Sequence, residues 1–270
     1  MACKRLRHGR RERLRGAGSA PVRILAIADA VSPLVYSERF PRNLPPFDIV
    51  LSAGDMPGHV LEFLATKLRV APVYVLGNHG NGWIRSADEP DEVRLPGGCV
   101  NAHVRVVEVG GVLVAGIEGS ARYRAGPHQY SEFGMQRHVL GLTPQLLLRR
   151  WRRGRAVDVL LTHAAPRGPH EGSDFAHRGV AAFNAFHRRW RPLVHIHGHV
   201  HLSGANAPRS YVSPEGVLVV NAFEFTIVDL APLRVARARR LAGEDVDLDP
   251  RDIVGVRGVA GATPEADGGT

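Results

Sequence analysis

Apolar residues fall in short unbroken runs along this chain, separated by polar and glycine-rich stretches. The runs at 22–28 (VRILAIA), 48–53 (DIVLSA), 72–77 (PVYVLG), 157–162 (VDVLLT) and 193–197 (LVHIH) do not alternate with polar residues. Unbroken runs of that length predict strands buried on both faces. Between them the spacing turns helical. The stretch 59–68 places Val60, Leu61, Phe63, Leu64 and Leu68 on one stripe. A second helix is expected over 144–154, with Thr143 as its N-cap. A third, over 181–190, repeats aromatic positions at Phe183, Phe186 and Trp190, which read as core. Residues 104–117 predict a hairpin turning at Gly110–Gly111, and 216–230 predict two more strands. Strands alternating with helices and closed by an all-β end predict an α/β fold, a four-layer α/β/β/α sandwich of two mixed sheets with outer helices. No internal repeat interrupts this reading.

Composition narrows the class. At 270 residues, 44% hydrophobic and 23% charged, the chain can bury a large core as one globular domain. No apolar run approaches the ~18 residues of a membrane span. Cys3 and Cys99 lack CxxC or framework spacing, which points to a reducing compartment and away from a zinc-thiolate site. The net charge of +9 comes almost wholly from arginine, the only lysines being Lys4 and Lys67. Much of the excess sits in the first fifteen residues. Three explanations stand side by side: a nucleic-acid-binding arm, a disordered leader without a role, or a start assigned too far upstream. The expected organisation is a basic disordered leader at 1–20, the main domain at 21–250 and a flexible tail at 251–270. Arg10–Arg11 is similar to a twin-arginine signal, but the apolar stretch after it is short and reads as the first core strand. A cytoplasmic protein with no membrane partner is therefore expected. The basic cluster 149–155 suits the end of a helix.

The polar residues change the picture most. Each central run leads into a residue able to bind metal: Asp29, Asp55, Asn78 with His79, His163, and the stretch HIHGHVH at 195–201. That stretch holds four of the chain's 14 histidines. Gly198 predicts a strand ending near His197, a turn, and His199 and His201 presented from the loop. Each residue has a plain alternative. Asp29 can cap a helix, Asp55 and Asn78 can sit in turns, and His163 can be a satisfied core histidine. The ordered set favours a metal site at the C-terminal ends of the strands, where α/β folds place their ligands.

The motifs DAV (29–31), GD (54–55), GNHG (77–80), TH (162–163) and GHVH (198–201) together resemble, over about residues 22–230, the calcineurin-like metallophosphoesterase superfamily. Within it the chain resembles a bacterial subgroup with a degenerate first motif. The resemblance implies two divalent metal ions. Asp55 would bridge them, Asp29 and His201 would hold the first, and Asn78, His163 and His199 the second. His79 would contact the phosphate or protonate the leaving group. His195 and His197 would stand behind the ligands as donors or core residues. The implied activity is metal-dependent hydrolysis of phosphodiester or phosphomonoester bonds through a metal-bound hydroxide. Mn, Fe or Zn suits the mixed N/O ligand set, and the substrate would be a phosphorylated small molecule. Two positions depart from the pattern, where Val31 replaces a histidine and Gly80 an acid. A tight second site and a labile first one follow. A catalytically weak or inactive binding module of the same fold and a nuclease are the competing functions. Nucleic acid is the less favoured partner, because no aromatic-and-basic stripe for single strands is present. Two loops hold further candidates. Residues 116–133 carry Glu118, Arg122, Tyr123, His128 and Tyr130, with Arg122 a candidate phosphate contact. Residues 169–179 carry His170, Asp174 and His177, a candidate cover for the site or a substitute for the ligand lost at Val31.

Overall fold

A computed structural model describes residues 22–79, 84–85, 93–202 and 207–255. The basic leader, Gly80 and the tail beyond 255 lie outside the described residues. In chain order, β1 (Arg23–Ala28) and β2 (Ile49–Ser52) precede α1 (Gly58–Lys67). Then come β3 (Val73–Tyr74), β4 (Ile84–Arg85), β5 (Val93–Arg94) and β6 (Val100–Asn101). The hairpin β7 (Arg105–Val109) and β8 (Val112–Ile117) leads to β9 (Ser120–Ala121) and β10 (Gln129–Tyr130). Helices α2 (Glu132–Gly141) and α3 (Thr143–Arg153) follow, then β11 (Val159–Thr162), α4 (Ala181–Trp190) and β12 (Val194–His197). Then come β13 (Ser210–Val212), β14 (Leu218–Asn221), β15 (Glu224–Asp229) and α5 (Leu230–Leu241), and a short 3-10 helix at Pro250–Asp252 is the last described element.

Two sheets carry the fold. The first has the order β15-β1-β2-β3-β6, with β15 antiparallel to β1 and the other pairs parallel. The second has the order β13-β14-β12-β11-β8-β7, with four central parallel strands between two antiparallel edges. Alternate residues decide which layer each strand side chain enters. Ile24, Ala26 and Leu51 of the first sheet meet Val114, Leu161 and Ile196 of the second in the central core. Leu25, Ile27 and Val50 face out under α1. Ala115, Ile117 and Leu160 face out under α2, α3 and α4. This is the expected four-layer α/β/β/α arrangement, and both faces of each sheet are covered, which is why the central strands read as unbroken apolar runs.

Several elements differ from expectation. The run 72–77 is regular only at Val73–Tyr74 and continues as an extended segment toward the site. Thr143 is the first residue of α3 rather than its cap; Leu142 holds the cap position without a side-chain bond, and Pro144 stands in the first turn. The chain's end is not all-β, since α5 follows β15, capped by the Asp229 carboxylate on the Ala231 amide at 2.8 Å. Helix α2 has no counterpart among the sequence expectations, because only Met135 and Val139 of its length are buried, too thin a stripe to stand out. At Gly110–Gly111 the expected hairpin turn forms, with φ of 55° and 74°. Of the tail, Ile253 is buried and Val254 bridges Val228. No described helix is long and apolar enough to cross a membrane.

Candidate metal centre

The parallel strands of both sheets end at one edge of the sandwich. β1 delivers Asp29, β2 delivers Asp55, β3 runs on to Asn78 and His79, β11 delivers His163, and β12 turns at Gly198 into His199 and His201. Hydrogen bonds stitch the sheets together there. His163 Nδ1 donates to the Ala53 carbonyl at 2.8 Å. The His199 amide donates to both Asp29 oxygens, at 3.1 and 3.0 Å. The Gly119 amide donates to the Leu76 carbonyl at 2.9 Å. The glycines of the motifs are there for space. A Cβ on Gly54 would come within 2.5 Å of His163 Nδ1, and one on Gly198 within 2.7 Å of an Asp29 oxygen. Asp29, Asp55 and His199 all hold positive φ, at 66°, 52° and 67°. Left-handed backbone costs non-glycine residues about 1–3 kcal/mol and clusters at functional sites.

Asp29, Asp55 and His163 each offer a ligand atom, all within 4.8 Å of one another, and form a group able to hold a divalent cation. His163 is fully buried and Asp55 nearly so. Because a carbonyl only accepts, His163 Nδ1 carries a hydrogen, and the neutral ring presents its Nε2 lone pair to the centre. That nitrogen lies 2.8 Å from Asn78 Oδ1 and 3.1 Å from Asp55 Oδ2. Asn78 turns its amide nitrogen the other way, to the Tyr123 hydroxyl at 3.0 Å. Three atoms with lone pairs thus converge in a buried place. Such a set calls for a shared positive charge, either a proton on His163 or a metal ion.

The electrostatics agree. Burial opposes a charge on His163, yet its hydrogen bond to Asp55 and the charges of Asp55 and Asp29 raise its pKa above the ordinary value. Burial likewise works to raise the Asp55 pKa, but His163 and His79 outweigh it and hold the carboxyl below its usual range. Asp29 is raised, by burial first and by the neighbouring Asp55 charge. His199 is pushed down to about 3 by burial and by His163, which keeps its imidazole neutral and able to ligate. Its Nε2 donates to the Ala176 carbonyl at 2.9 Å, leaving Nδ1 as its lone-pair nitrogen.

The remaining candidates scatter around this centre. His79 donates its backbone amide to Asp55 Oδ1 at 3.1 Å, while its ring, 3.8 Å from Asp55 Oδ2, is 55% exposed. His201 is exposed, stands 4.9 Å from the Phe223 ring, and lies outside the three-residue group. Its proximity still works to lower the Asp29 pKa. Val31 is 37% exposed. Arg122 is exposed on the segment after β9, with its Nε on the Gln129 carbonyl at 3.3 Å. In the same loop, one Glu118 oxygen takes the Tyr130 hydroxyl at 2.8 Å and His128 Nδ1 at 2.9 Å. The 169–179 loop borders the site through Ala176 and through His177, whose ring is 4.9 Å from that of His199. His170 instead turns inward to His197, at 2.8 Å.

Sequence reasoning missed the Tyr123–Asn78 bond and the Ala176 carbonyl. Neither carries a local signal, since each joins residues far apart in the chain.

No protein-family model matches the sequence. No curated protein matches it either. Solved structures do. One crystal structure superimposes with a TM-score of 0.51 at 15% identity, covering 78% of this chain and 96% of the other. The TT1561 protein of Thermus thermophilus superimposes at 0.50 and 15% identity, covering 79% and 96%. A conserved protein of Streptococcus pneumoniae, described as a predicted phosphoesterase, matches with a TM-score of 0.31 at 13% identity, covering 78% and 83%. The likeness is one of fold. The chain shares with them an α/β sandwich of two mixed sheets flanked by helices.

Proposed function

We propose that this protein is a metal-dependent phosphoesterase that hydrolyses phosphodiester or phosphomonoester bonds of small molecules. The observation that carries this is the convergence of Asn78 Oδ1 and Asp55 Oδ2 on the buried His163 Nε2, at 2.8 and 3.1 Å. Asp55, Asn78, His163 and His199 are the residues that would hold one divalent ion, with Asp55 shared toward a second at Asp29 and His201. Mixed nitrogen and oxygen donors suit Mn, Fe or Zn. Such ions supply an activated water and take up charge on the phosphoryl oxygens. The chain's own part is positional. The strained backbone at Asp29, Asp55 and His199 brings three donors to the strand ends. The exposed ring of His79, anchored through its amide to Asp55, would meet a phosphoryl oxygen or protonate the departing oxygen.

Hydrolysis of bis-p-nitrophenyl phosphate with added Mn²⁺, beside an Asp55→Asn control, tests this. Turnover that requires metal and disappears in the control is expected. Folded protein that turns over nothing with Mn²⁺, Fe²⁺ or Zn²⁺ overturns it in favour of a binding module. The exposed Val31 and the outlying His201 favour that second reading.

A further inference from the structure

Asn78 is 1% exposed, so both ends of its amide must find partners inside the protein. When Oδ1 faces a cation at His163, the amide nitrogen points away and needs an acceptor. Leaving that buried donor unmet would be costly. The atom in place is the Tyr123 hydroxyl oxygen, 3.0 Å from Asn78 Nδ2. Tyr123 reaches it from the loop after β9, and that loop is braced. The Gln129 side-chain oxygen accepts from the Tyr123 and Arg124 amides at 3.3 and 3.2 Å. Gln129 itself is buried. The Arg124 guanidinium lies 5.3 Å from the Tyr123 ring centre, a cation–π distance that steadies the ring. The bond from the Gly119 amide to the Leu76 carbonyl ties the base of the loop to the segment that carries Asn78.

We infer that Tyr123 is a positioning residue of the metal centre, whose hydroxyl accepts from the Asn78 amide and so holds Oδ1 toward the ion. The inference rests on the metal-site reading above, and it assigns the 119–130 loop a role in metal affinity. It also makes a distinctive demand. The acceptor matters only while residue 78 carries an NH₂ group. An alanine there has no amide to hold, so the phenol should then be dispensable.

The test is a double-mutant cycle read by Mn²⁺ titration of wild type, Tyr123→Phe, Asn78→Ala and the double variant. Tyr123→Phe should weaken Mn²⁺ binding about 10-fold or more, the usual scale for a partner behind a ligand. In the Asn78→Ala background the same change should cost less than about 3-fold, well short of that scale. An equal loss in both backgrounds overturns the inference, because the phenol would then act through general stability. No loss in the Asn78 background overturns it too. In metal-free protein, the Asn78 side-chain NH₂ signals should lose protection from exchange in Tyr123→Phe; unchanged protection means the hydrogen bond does not exist. Failure of the enzyme reading looks different, namely wild type that binds Mn²⁺, obeys the cycle and hydrolyses nothing.

Discussion

The two halves of the HIHGHVH stretch do opposite work. His195 and His197 lie on regular strand and are fully buried, His195 against α4 and His197 against the loop that carries His170. His187 Nε2 lies 2.9 Å from His195 Nδ1, and His195 Nε2 lies 2.7 Å from the Thr162 hydroxyl, which donates to the Ala164 carbonyl at 2.6 Å. That chain clamps the backbone on either side of His163. His197 pairs with His170 in the same way. Past Gly198 the backbone leaves the strand, and His199 and His201 stand at the strand ends. One residue type at one spacing therefore yields packing histidines before the turn and candidate ligands after it. The difference lies in what each ring meets: other neutral rings and hydroxyls in one half, the neighbourhood of carboxylates in the other.

The comparison breaks most visibly at His199. His199→Ala should lower metal-dependent hydrolysis by about 100-fold or more while leaving thermal unfolding of the metal-free protein nearly unchanged, as judged by steady-state rates beside calorimetry. His195→Phe should reverse the pattern. It strands Thr162 and His187 without their partner, at a cost of about 2 kcal/mol or more, visible as a lower Tm with Mn²⁺ affinity little altered.

Acid separates the halves next. Burial pushes His170 and His187 down to about 4 and holds His195 and His197 well below the ordinary value of 6.5. Between those values and 6.5 the unfolded chain binds protons that the folded chain refuses, so stability falls as pH drops through that window. His163 has the opposite sign. Its raised pKa favours the folded metal-free protein below 6.5, and that contribution fades as pH rises through the folded value. Urea unfolding against pH should therefore show a steep loss from about 6.5 toward 4, with uptake of several protons. A flat profile there would mean that the packing histidines are not buried neutral.

The smallest effect is expected at Val31. Val31→His should tighten binding of a second Mn²⁺ several-fold in a two-site titration. No change would mean that another group already serves the Asp29 side.

Much of the site was legible in the sequence because a strand fixes where its end lies. The apolar runs located Asp29, Asp55, Asn78, His163 and His199 at strand termini, and the turn at Gly198 separated His197 from His199. Helices α2 and α5 were less legible. Their buried stripes are thin, although Ser131 caps α2 through the Gly134 amide and Asp229 caps α5, and those caps were the available signal. At Thr143 the capping residue type misled, because the first turn of α3 begins one residue earlier than a cap there would require.

Local order along the chain determined which residues end the strands, since alternation and apolar content are properties of neighbours. Tertiary structure alone decided which of those residues share a centre. The bond from His163 to Ala53 spans 110 positions, that from His199 to Asp29 spans 170, and Tyr123 meets Asn78 across 45. Such contacts depend on how two sheets pack face to face, and packing is set by the whole core at once rather than by any stretch of it.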